Sequence, residues 1–222
     1  LALYQATGEV DRLRLAVAAL EEMLVAYRAE DGGWFDTPAG DGDPRGSVSE
    51  VSAHDTAGGA SAGSGPAGGA PVILRPRDPT DGAAPSGASA AADALLTASA
   101  LTGSSEFRVA AEQTLAMVGT LVLRFPRSAG WHLAVGEALA AGPLQVAVSG
   151  PAGPDRDVLA AAARRGAPGG TVIEVGHPDA PGRPLLADRP AVSGRPAAYV
   201  CRGFVCDRPV TTSSELAAVL GR

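Results

Sequence analysis

The sequence predicts a mainly α fold: helical hairpins of an incomplete α/α toroid, followed by a small C-terminal α/β element. Three observations lead there. Apolar residues at three-and-four spacing recur through the chain up to Ala140, the signature of amphipathic helices. Two helix ends echo one another, Leu3-Tyr4-Gln5-Ala6-Thr7-Gly8 and Leu96-Thr97-Ala98-Ser99-Ala100-Leu101-Thr102-Gly103, each closing on Thr-Gly before another amphipathic helix. A repeated helix, Thr-Gly, helix unit is what an array of α-hairpins or a toroid shows. After Pro143 the pattern changes to short apolar runs separated by one helix, so a second unit is expected there. The division is 1–142 for the hairpins and 143–222 for the α/β unit.

The elements follow in order. Residues 1–6 read as the last turns of a helix stopped at Gly8. Residues 11–27 form the next, with Leu13, Val17, Leu20, Leu24 and Tyr27 on one face. Asp31-Gly32-Gly33 breaks it, and Trp34-Phe35-Asp36-Thr37 is extended. Residues 39–71, rich in Gly, Ala, Ser and Asp, bury too little apolar surface to offset their ordering entropy and read as a mobile insertion. A short strand at 72–74 and a Pro-fixed loop follow. Ser86 caps a helix running to Leu101, another spans 105–124 until Phe125-Pro126, and a fourth covers 129–140. Beyond Pro143, strands at 144–148 and 171–175 flank a helix at 155–165, a β-α-β unit that is parallel by default. A third strand is expected at 198–201, and Ser213 or Ser214 caps a last helix.

Composition narrows the function classes. The 222 residues carry a net charge of −6, and every basic residue besides the three His is Arg, which argues against nucleic acid as a partner. No run of about 18 apolar residues exists, so no membrane partner is expected. Two Cys are no disulfide framework, and the expected location is the cytoplasm. The chain opens on Leu1 within a helix, and reads as a fragment whose partners include the missing N-terminal part of its own protein.

Several strings go further. Gly32-Gly33-Trp34-Phe35-Asp36-Thr37, the run from Leu74-Arg75-Pro76-Arg77-Asp78-Pro79-Thr80-Asp81-Gly82 to Ala83-Ala84-Pro85-Ser86-Gly87, and Arg195-Pro196-Ala197-Ala198-Tyr199-Val200-Cys201-Arg202-Gly203-Phe204-Val205-Cys206 stand in one order. In that order they resemble the C-terminal region of the thioredoxin-domain-containing family related to spermatogenesis-associated protein 20 and bacterial YyaL. The chain departs from that pattern at Ala88, where Asn usually follows Pro-Ser-Gly, and at Arg77, usually Lys. The resemblance implies a thioredoxin-like domain ahead of this region and a toroid like that of six-hairpin glycosidases. It implies a parent that binds or modifies a sugar, with this part inactive by itself. The competing implication is a redox-linked protein serving the thioredoxin-like domain.

The chemistry-bearing residues are few. Asp78 and Asp81 sit three apart beside Arg75 and Arg77, with Ser86 near in the chain and Asp36 expected to approach from the previous connection, and two carboxylates on such a rim are suited to acid/base work on a sugar. Equally, Asp81 and Ser86 cap turns and Arg75 pairs with Asp78, fixing the loop. Trp34-Phe35 offers a sugar-stacking platform or core packing. His132 is a base or a capping or surface residue. Three scattered His, at 54, 132 and 177, give no metal site, and no cofactor is expected. Cys201 and Cys206 are the redox candidates; their Cys-x4-Cys spacing on a strand and the turn after it allows a disulfide or two buried thiols. Ser149-Gly150-Pro151-Ala152-Gly153 follows a strand, but Pro151 and the next Pro154 remove N–H donors that a phosphate needs.

Overall fold

The computed structural model describes residues 1–39 and 75–221; the insertion expected over 39–71, save Ala39, and the strand expected over 72–74, with His54, lie outside the described residues. The helices are α1 (Ala2–Thr7), α2 (Val10–Ala26), α3 (Gly87–Thr102), α4 (Ser105–Met117), α5 (Gly119–Arg124), α6 (Gly130–Ala141), α7 (Pro154–Gly166) and α8 (Ser213–Leu220). The strands are β1 (Leu144–Ser149), β2 (Val172–Gly176), β3 (Ala197–Arg202) and β4 (Val205–Cys206).

The echo at Thr-Gly is a shared helix stop. Thr7 Oγ1 donates to Leu3 O at 2.9 Å and accepts from Glu9 N, while Gly8 turns left-handed at φ 73° and returns its N–H to Tyr4 O. Thr102 does the same to Ala98 O and Ser104 N, with Gly103 at φ 80°. Gly takes this conformation without a Cβ clash, so each helix ends where the next must begin.

Those two corners do not build a toroid. The mainly α, ring-like expectation is overturned: the helices pack on a four-stranded mixed sheet of order β2-β1-β3-β4. β1 pairs parallel with β2 and antiparallel with β3, and β3 pairs antiparallel with β4. The parallel β-α-β unit is as the sequence implies; the antiparallel third strand makes the sheet mixed. Every residue of β1 is buried. One sheet face, with Val146, Val148 and Val200, packs under Leu159 of α7 and Leu216 of α8. The other, with Ala147, Val172 and Tyr199, receives Tyr4, Leu13, Ala100 and Leu101 from α1, α2 and α3.

The physical reason lies in α3. Ala88, Ala91, Ala92, Leu95, Leu96, Ala98, Ala100 and Leu101 bury it on nearly all sides, so it is a central helix and not one member of a ring. Small Ala side chains let α2, α4, α6 and the sheet approach together. Polar clasps reinforce the join. Gln145 Nε2 donates to Ala100 O at 2.6 Å, and Gln5 Oε1 accepts from Ile173 N at 2.8 Å, covering the edge of β2. Tyr4 OH donates to Glu174 Oε1, which also accepts from Arg183 Nε at 2.6 Å. Glu174 is fully buried, and burial first, then this carboxylate, pushes the Tyr4 hydroxyl pKa well up.

Two smaller expectations are also corrected. The helix expected over 105–124 breaks at Val118 into α4 and α5, before Gly119, a weak helix former. The last helix is capped by Thr212, not Ser213 or Ser214, in a reciprocal box with Glu215. Among the described residues no helix is long and apolar enough to cross a membrane.

Candidate functional site

The loop before α3 is organised by Asp81, which is buried. Its Oδ1 accepts from Ser86 N at 2.9 Å and Ser89 Oγ at 2.6 Å. Its Oδ2 accepts from Trp131 N at 2.8 Å and His132 N at 3.2 Å, capping the start of α6. One carboxylate thereby ties the starts of α3 and α6 together. Burial alone pushes this carboxyl up, but the hydrogen bonds from Ser86, Ser89 and His132 outweigh it and hold it below the usual carboxylate range.

His132 is neither a surface residue nor an open base: it is 1% exposed. Its Nε2 lies 2.9 Å from Pro79 O and 3.3 Å from Ser86 Oγ. A carbonyl only accepts, so Nε2 carries the proton, leaving buried Nδ1 without a partner among the described residues. Asp78 is exposed and accepts from Thr80 Oγ1 at 2.6 Å and Thr80 N at 2.9 Å, which lower its pKa. Both carboxylates are therefore ionised at neutral pH, and the pair contains no general acid.

The expected pairing of Arg75 with Asp78 gives way to other partners. Arg75 lies over the Phe35 ring at 3.9 Å and donates to Thr37 O and, at 2.9 Å, to Ala26 O. Arg77 instead pairs with Asp31 at 2.7 Å, and this hydrogen bond is the main cause of the lowered Asp31 pKa. A Cβ on Gly33 would lie 2.0 Å from the Arg77 guanidinium, so a larger residue there would make that side chain shift. Trp34 is core, its indole N–H donating to Thr114 Oγ1 at 2.9 Å, and Asp36 is exposed with its N–H on Pro76 O. Asp31, Trp34, Arg77 and Ala88 line a cleft of about 320 Å³. Of the aromatic pair, Trp34 is 7% exposed and Arg75 lies over the Phe35 ring.

Cys201 and Cys206 are joined in a disulfide. They are direct cross-strand partners of β3 and β4, connected by a two-residue turn at Gly203 (φ 55°) and Phe204 (φ 66°). Two positive φ angles make the primed turn that matches strand twist. Phe204 is held there by its N–H on Gln145 Oε1 at 2.8 Å. Cys201 is buried, whereas Cys206 is half-buried and opens on a cleft of about 450 Å³ with Arg189, Tyr199, Asp188 and Asp207. Sequence reasoning missed Arg189: it lies in a Pro-rich loop without periodicity, and only the fold brings it to the hairpin.

Among the described residues no group of three His, Cys, Asp or Glu is placed to hold a metal ion. His177 is exposed, its Nδ1 beside Pro178 O at 3.0 Å. No protein-family model matches the chain, and no curated protein matches it.

Proposed function

We propose that the chain is a redox-linked protein whose Cys201–Cys206 disulfide exchanges with the dithiol of a thioredoxin-like domain. One observation carries the reading: the bonded pair bridges an edge hairpin, with half-buried Cys206 lining a cleft. The resemblance supplies the partner class. In the exchange a partner thiolate attacks Cys206 Sγ, the Cys201–Cys206 bond breaks, and Cys201 leaves as a thiolate that takes a proton. The partner's second thiolate then attacks its own sulfur in the mixed disulfide and releases Cys206, which also takes a proton. Two electrons and two protons reach the cysteine pair, and the partner dithiol becomes a disulfide.

The test is a thiol titration of the full chain with and without prior reductant. The reading expects no free thiol before reduction and two after it; two free thiols in both states overturn it. A thioredoxin-like domain lacking its second cysteine should then accumulate as a mixed disulfide with the oxidised chain.

A second reading, sugar binding, finds its support at the Asp31–Arg77 cleft rather than at Asp78 and Asp81. A carboxylate and a guanidinium beside an apolar wall that includes Met117 and Ala88 offer an acceptor and donors to sugar hydroxyls. A thermal-shift screen of sugars checks it. A stabilising sugar whose effect survives Arg77→Ala would place binding elsewhere.

A further inference from the structure

We propose that Arg189 is the positioning residue of the exchange site, its buried guanidinium stabilising the thiolate form of the cysteine pair when the disulfide opens. This rests on the exchange reading and adds what makes the leaving sulfur competent. Cys206, the sulfur released in the second step of the exchange, is half-buried, so a thiolate formed there loses part of its hydration and is disfavoured unless a cation is near.

Arg189 is that cation. It is 6% exposed, and its Nη1 donates to Ala187 O at 2.6 Å. Its Nη2 reaches Phe204 O at 3.4 Å, and Cys206 Sγ lies 3.7 Å from the same carbonyl oxygen. Guanidinium and sulfur thus meet at one atom of the hairpin turn and share one cleft. Buried Nε has no partner among the described residues. All of its hydrogen-bond acceptors among the described residues are neutral carbonyls, a costly arrangement for a buried guanidinium. Asp188 and Glu174 act on it only through space, without a hydrogen bond among those described, so a thiolate arising on reduction adds an anion on the cleft side.

The other charges around the pair do not substitute for it. Asp188 and Asp207, from the cleft walls, favour the protonated thiol. Tyr199, from β3, keeps its hydroxyl on Pro190 O at 2.6 Å. Glu174, on the same sheet face, is already paired with Arg183. Arg202 lines the separate groove beside Gly142. Arg189 is therefore the buried cation that shares the cleft with Cys206 among the described residues.

The experiment uses the reduced full chain. The rate of iodoacetamide alkylation at each cysteine is followed against pH in wild type, Arg189→Gln and Arg189→Lys, with melting temperatures as a folding control. Wild type should show an inflection below the ordinary thiol value of about 8.5. Arg189→Gln should move it up and slow alkylation at pH 7 on the order of tenfold, one pKa unit, with Arg189→Lys restoring most of the rate. An unchanged profile in folded Arg189→Gln overturns the proposal. If that variant fails to fold, an inflection at or above about 8.5 in wild type overturns it as well. Failure of the exchange reading is a different result, two free thiols before any reduction, and is read separately.

Discussion

Asp81 shows how a candidate catalytic group becomes a structural one. Its four hydrogen bonds join two helix starts, so Asp81→Ala strands donors at Ser86, Trp131 and His132. The expected loss is about 3 kcal/mol in urea unfolding. The pH dependence follows from its lowered pKa. A depressed folded value contributes stability present above the unfolded value near about 3.9 and lost as pH falls through the folded one. Acid titration of stability should therefore show a component below about pH 4 in wild type that Asp81→Asn lacks. The buried carboxylate Glu174 gives a second check, since Arg183→Met removes its counter-charge and should cost about 3–5 kcal/mol by the same measurement. The sequence made Ser86 legible as a cap and Asp81 as a turn residue. It misassigned the ion pair because Arg77 and Asp31, distant in the chain, meet only once α2 and α3 are packed.

Helices were legible to within a residue or two where apolar periodicity met a stop such as Gly8 or Gly103. Among the elements missed were the two-residue strand β4, the break at Val118 and the short 3-10 turns Pro126–Ser128 and Pro184–Leu186, all too short to carry a period. Glycine substitutions test the packing of α6. A Cβ at Gly136 meets nothing within 4 Å, so Gly136→Ala should raise stability by about 1 kcal/mol through helix propensity. A Cβ at Gly170 would lie 2.4 Å from Ala138 Cβ on the same helix, at φ 76°, so Gly170→Ala should lower the melting temperature. Opposite signs from one chemical change separate local propensity from tertiary fit.

Across the whole molecule, the helix pattern was readable but its arrangement was not. Ala-rich helices carry little information about which face meets what, and α3 uses nearly all of its circumference. What read as hairpins of a ring is a helical layer whose core runs on into a mixed sheet, from Tyr4 and Leu101 to Val172 and Tyr199. The disulfide hairpin sits at the free edge of that sheet, anchored by Gln145 and Arg189 as well as by the disulfide. Opening the disulfide should therefore leave the circular dichroism spectrum intact and lower stability by about 2 kcal/mol, the chain-entropy value for so short a loop. The redox assignment itself is decided by differential alkylation of the native full chain, before and after incubation with a reduced thioredoxin-like dithiol domain. Cys201 and Cys206 should both resist the label before incubation and both take it afterwards, as the partner becomes oxidised. Two labelled cysteines in the untreated protein would contradict it.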